Sequence, residues 1–232
     1  LSLVPASMLN NTALYDGING GALAPMGSVG ALNVAAEIPK GRGTSTLFSA
    51  SSIGDRGLFA QSWGNIGTVR YQSSLRSTGG TNSYPYTLGS LNGVLEGNGY
   101  NDLTYLQSFQ GKLSRWNWES TLWYTQSEKD NSGSILTPGY INHLEDDMLR
   151  FKYAIRNRTN QWQVYLGREW QAYTDTNSPW TITDTNTYTQ ATVQYSRRNE
   201  RQELFITSNY FRADGTNRTA TAFLPHVLYN LS

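Results

Sequence analysis

The side chains able to do chemistry are few in this chain, and their spacing argues against catalysis. The only histidines are His143 and His226, too sparse and too far apart for a metal centre, and there is no cysteine for zinc, disulfide or thiol chemistry. Gly27-Ser28-Val29-Gly30 lacks the Lys-Ser/Thr pair of a phosphate loop, and no Gly-x-Ser-x-Gly elbow occurs. Glu145-Asp146-Asp147 offers oxygen ligands for a cation at a loop rim, although a solvated loop end has the same composition. No catalytic residue, metal or cofactor is expected, which leaves recognition. Long polar stretches carry Tyr84, Tyr86, Tyr100, Tyr140 and Trp180, whose rings could stack on a flat ligand or pack their own loops. Arg70, Arg76, Arg150, Lys152 and Arg156 alternate with apolar residues and could attract an anionic ligand.

The elements that must position these residues are strands. Leu149, Phe151, Tyr153 and Ile155 alternate with Arg150, Lys152, Ala154 and Arg156; after a turn at Asn157-Arg158-Thr159-Asn160, Trp162, Val164 and Leu166 resume the pattern. Side chains on a strand point to opposite faces every second residue, so each run has one apolar and one polar face. From Thr44 onward the pattern gives nine strands, near 44–52, 57–63, 67–76, 102–111, 115–126, 149–156, 161–167, 187–197 and 201–212. A tenth from about Thr219 is interrupted by Pro225, which cannot donate to a ladder. Short turns, such as Gly64-Asn65-Ile66-Gly67, alternate with long loops at 77–101, 127–145 and 174–186. Short turns at one end and long loops at the other, with several runs near the ~9–11 residues that cross hydrocarbon, describe a transmembrane β-barrel wall.

Composition agrees. No window approaches 18 consecutive apolar residues, so a transmembrane helix is excluded. Charged residues make up only 15% of the 232, with 22 glycines and 12% aromatics. The mean hydropathy of −0.50 is what a barrel gives when only half of each strand faces lipid. A net charge of +1 gives no reason to expect a nucleic-acid partner. Leu1-Ser2-Leu3-Val4-Pro5 carries no basic n-region and no initiator Met, which reads as a processed or truncated start. Residues 1–43, glycine-rich with Tyr15 as their one aromatic and Pro39-Lys40-Gly41-Arg42-Gly43 as a linker, form one unit; 44–232 form the other.

Thr12-Ala13-Leu14-Tyr15-Asp16-Gly17, followed by Ala24-Pro25-Met26-Gly27-Ser28-Val29-Gly30-Ala31-Leu32-Asn33-Val34, resembles the end of the plug domain of TonB-dependent outer-membrane receptors, in particular the ferric-siderophore branch. Ala31 stands where that pattern has a second glycine, and Ile18 to Leu23 form a small insertion. The resemblance implies that 1–43 is the C-terminal end of a plug and 44–232 the N-terminal part of a barrel of about 22 strands. The chain would then be a fragment lacking the earlier plug and the later strands. The implied function is energy-coupled uptake of a ferric siderophore or similar metal chelate across the bacterial cell outer membrane. The implied partners are the chelate, the inner-membrane protein TonB (through a segment absent from this chain) and the lipid and lipopolysaccharide of that membrane. Tyr15 joins the loop aromatics as a candidate ligand-binding residue, and the inward cations could instead pair with acidic plug groups. Two other readings of the residues stay open: a small barrel of eight to ten strands acting as a pore or structural protein, and a soluble carbohydrate-binding β-protein.

Overall fold

The computed structural model describes residues 11–16, 30–35, 38–51, 54–81, 83–95, 97–132, 141–175, 182–199 and 202–231. These form fourteen strands, and no helix occurs among them. Strands β1 (Asn11–Asp16) and β2 (Gly30–Ala35) pair antiparallel as a sheet of their own. The main sheet has ten antiparallel strands: β3 (Gly43–Ala50), β4 (Arg56–Ile66), β5 (Val69–Gly80), β8 (Tyr100–Leu113), β9 (Trp116–Ser132), β10 (Ile141–Arg156), β11 (Asn160–Asp175), β12 (Ile182–Arg198), β13 (Gln202–Gly215) and β14 (Thr219–Leu231). Between β5 and β8 a separate hairpin, β6 (Tyr84–Leu88) with β7 (Leu91–Leu95), is inserted. The order in the sheet follows the chain without a crossover, so this is an up-and-down meander.

The short turns gather at one end, and their chemistry explains them. Gly67 (φ 59°) and Ser114 (φ 55°) open the two-residue turns 67–68 and 114–115, supplying the left-handed first position that two-residue hairpins need. Asn157 builds the β10–β11 turn with its side chain, whose Oδ1 accepts from the backbone N–H of Thr159 (2.9 Å) and Asn160 (2.8 Å). Asn199 repeats the device before β13, its Oδ1 accepting from the N–H of Gln202 at 2.8 Å.

The ten strands fall where alternation places them, but with different ends. The first tight turn is Gly67-Thr68 rather than 64–67, because pairing continues through Asn65↔Arg70 and Ile66↔Val69. The expected long loops are shorter. Strand β9 runs on to Ser132 and β10 begins at Ile141; β11 reaches Asp175 and β12 begins at Ile182; the segment 81–99 holds the β6–β7 hairpin. In these extensions both faces are polar, as in Glu128↔Glu145 and Ser127↔Asp146. Ladder hydrogen bonds, not hydropathy, carry the strands onward there. The tenth strand is complete: Pro225 sits opposite Ser208 in β14, an edge strand with only β13 beside it.

Glycines opposite aromatics are a second local device. Gly111 pairs with Trp118, Gly64 with Tyr71, Gly93 with Tyr86, Gly43 with Trp63 and Gly80 with Tyr100. A Cβ added at Gly111 would lie 2.7 Å from the Trp118 ring, and one at Gly93 would lie 2.8 Å from the Tyr86 hydroxyl. Each ring lies across the flat floor that its partner glycine leaves.

Candidate ligand-binding face

Register divides the ten strands into two faces of opposite character. Residues directly opposite in an antiparallel ladder project to the same side. One face carries Trp118, Ile155, Trp162, Tyr195, Ile206 and Val227 in a single row of partners. Four positions further from the short turns, the row Leu122, Phe151, Leu166, Ala191, Tyr210 and Phe223 lies on the same face. Apart from Leu47, Tyr173 and Leu228, the exposed large apolar residues of the sheet lie on this face, with Phe48 75% and Phe223 64% exposed. Trp162 and Tyr195 contact each other there, with ring centroids 4.5 Å apart.

The other face is buried and polar. It holds Gln72, Ser74, Thr104, Ser108, Thr125, Ser127, Thr192 and Thr207, together with Leu106, Met148 and Ala154. Of the buried side chains named for the sheet only Ala172 projects to the other face, and burial so one-sided belongs to the concave side of a curled sheet. Hydrogen bonds cross the strands here: Thr192 Oγ1 donates to Asn209 Oδ1 at 2.8 Å, and Ser127 Oγ to Asp102 Oδ1 at 2.5 Å.

The cations expected on the polar side are on this inner face, and most have partners within the wall. Lys152 Nζ lies 2.9 Å from Glu119 Oε1, and Arg150 Nη2 lies 3.6 Å from Glu169 Oε2. Arg70 donates from Nη2 to the carbonyls of Ile38 and Pro39, fastening the segment before β3 to the inner wall, with Ile38 fully buried. Leu149, Phe151, Tyr153 and Ile155 project to the opposite, apolar side.

Around Gly167 the inner face has a depression of about 410 Å³. Arg150 and Gln190 are the cross-strand partners of Gly167. Glu169 borders it, with Oε1 accepting from Gln171 Nε2 at 2.9 Å. Tyr188 and Phe211 form its far wall as a stacked pair, centroids 6.3 Å apart and planes 27° apart. One strand back, Trp123 lies opposite Arg150, and its buried Nε1–H has no acceptor among the described residues. These elements escape a reading by hydropathy, because Gly167 passes as one more non-apolar alternant between Tyr165 and Glu169. The signal available was a strand-interior glycine with no turn chemistry around it.

The aromatics singled out from the sequence are not gathered at one place among the described residues. Tyr86 lies against Gly93 within its own hairpin. Tyr100 opens β8 on the inner face, with its hydroxyl donating to Asp55 Oδ1 at 3.3 Å. Tyr84 pairs with Leu95, and Tyr15 with Ala31, through the backbone. Tyr140 and Trp180 lie outside the described residues. Strand alternation splits the acidic triplet, Glu145 and Asp147 projecting to the outer face and Asp146 to the inner. No group of three metal-ligating side chains that could hold an ion occurs among the described residues. His143 instead joins two strands, Nδ1 2.7 Å from Asp130 Oδ1 and Nε2 3.2 Å from Glu145 Oε1. No family model matches the chain, and no curated protein matches it.

Proposed function

We propose that this chain forms part of the wall of an outer-membrane β-barrel receptor of the TonB-dependent type, which takes up a ferric siderophore or similar metal chelate. One observation carries the barrel reading: the sheet buries glutamine, serine and threonine on its curled inner side and exposes tryptophan, phenylalanine and leucine on its outer side. In water that arrangement loses hydrophobic stabilisation on one face and desolvates polar groups on the other. In a bilayer around an aqueous lumen both costs disappear. The soluble carbohydrate-binding reading has no use for such an outer face. A small closed barrel needs its first and last strands paired, whereas β3 and β14 each have a single neighbour. The receptor assignment adds the plug-like sequence of residues 12–34 and the segment before β3, held on the inner wall through Arg70.

The test places spin labels at 151 and 152 in the full protein in lipid bilayers. Residue 151 is expected to collide with dissolved oxygen, and residue 152 with a water-soluble nickel chelate. Water access at both positions removes the membrane reading. For transport, cells lacking the protein should lose accumulation of radiolabelled iron from at least one ferric chelate under iron limitation.

A further inference from the structure

We infer that the depression at Gly167 on the inner wall is a binding site for a planar aromatic anion, a ring carrying an ionised oxygen or carboxylate. The inference rests on the barrel reading only in that the inner wall must face water and admit a ligand.

The glycine itself is the first argument. A strand-interior glycine is costly and normally answers to a left-handed φ or a close neighbour. Gly167 has neither. Its φ lies outside the left-handed region, and a Cβ there would meet nothing nearer than Tyr165 Cε1 at 3.6 Å and Arg150 Cγ at 3.8 Å. A side chain would fit, unlike at Gly111 or Gly93, where an aromatic already occupies the space. At Gly167 the floor is left open, and the space above it is the depression.

The walls specify the ligand. Tyr188 and Phe211 present stacked rings along one side, which suits a flat aromatic group. On the other side Glu169 Oε1 accepts from Gln171 at 2.9 Å, and its Oε2 lies 3.6 Å from Arg150 Nη2. Among the described residues the one ion pair of Arg150 is that 3.6 Å contact, longer than a hydrogen bond, and its side chain is 39% exposed. A guanidinium has five N–H donors, so Arg150 keeps most of them for an incoming anion. The amide of Gln190, whose Nε2 gives one hydrogen to Thr192 Oγ1 at 3.5 Å, has a second to offer at the depression. Spare donors beside an aromatic wall fit an aryl carboxylate or phenolate.

The experiment uses the full protein in detergent, with folding checked by heat-modifiable gel mobility. Binding of salicylate and of the non-aromatic anion cyclohexanecarboxylate is measured for the wild type, Gly167→Leu and Arg150→Gln. Salicylate should bind at least tenfold more tightly than cyclohexanecarboxylate, and each variant should lose at least tenfold in salicylate affinity. Phe211→Leu, which keeps an apolar wall without the ring, is expected to do the same and replaces Gly167→Leu if that variant does not fold. Unchanged salicylate affinity in a folded variant overturns the site. A ferric catecholate and a ferric hydroxamate complex are titrated in parallel. Chelate binding without salicylate binding removes the site and leaves the receptor; salicylate binding lost in Gly167→Leu, without any chelate binding, keeps the site and removes the receptor. Binding of neither overturns both.

Discussion

Two glycines of the main sheet, Gly111 on β8 and Gly167 on β11, make opposite demands at the residue scale. At Gly111 a Cβ would collide with the Trp118 ring at 2.7 Å. Gly111→Val should therefore force the indole off its partner strand and destabilise the protein by about 1–3 kcal/mol, the usual cost of overpacking. Gly167→Ala, with ordinary contacts only, should be near neutral. Urea unfolding of the two variants in lipid vesicles checks the contrast, and equal losses would show that Trp118 does not rest on Gly111. His143 gives a pH prediction outside the apolar band, since it lies beyond Leu149 by about 20 Å of strand at roughly 3.3 Å per residue. The hydrogen bond to Asp130 holds its pKa above the ordinary value, helped by Glu145 and opposed by partial burial. A raised folded pKa means that the β9–β10 clamp is fully present below the unfolded value of about 6.5 and is lost as pH rises through the folded one. An NMR titration of the His143 ring should give a midpoint above that of an unfolded peptide, and Asp130→Asn should lower it. A midpoint at or below the peptide's would mean that the clamp does not form.

Strands differ in how much of themselves they wrote into the sequence. The lower part of β10, Leu149 to Arg156, and its partner Trp162 to Leu166 alternate cleanly, because one face is apolar and the other polar. The upper parts, such as Glu128 to Ser132 in β9, are polar on both faces, so period two has nothing to register there. The Gly167 site was opaque for a related reason. Its residues come from β10 to β13 and meet only once register is fixed, which hydropathy alone does not set. The turns were more legible, since Asn157 announces itself by type. Asn157→Ala removes the acceptor for two backbone N–H groups and should cost roughly 1 kcal/mol. The same unfolding assay reads that loss. Asn157→Asp, which keeps the acceptor, should recover most of it.

Across the whole sheet the apolar band runs obliquely to the rows of paired residues. The row through Phe48, Leu58, Ser77 and Leu103 continues as Gln126, Asp147, Trp170, Thr187 and Asp214. It is mostly apolar at its β3 end and mostly polar at its β13 end. A flat slab cuts rows in this way when strands tilt against its normal, as closure into a barrel requires. The two edges complete the geometry. An unpaired backbone N–H or C=O in hydrocarbon costs several kcal/mol, and β3 and β14 each leave one side of their ladder unpaired within the ten-stranded sheet. Both edges must therefore be covered in a bilayer, and the proposed receptor covers them with further strands. The 232-residue chain expressed alone is accordingly expected to show no heat-modifiable mobility in detergent. The sequence has no cysteine, so Thr46→Cys and Thr221→Cys, outer-face positions on β3 and β14, can be introduced without background. In the full protein they should not cross-link to each other, because strands stand between them. A heat-resistant form of the chain alone, together with an efficient β3–β14 cross-link, would instead mean that these ten strands close on themselves, leaving a lumen too narrow for residues 1–43 to act as a plug.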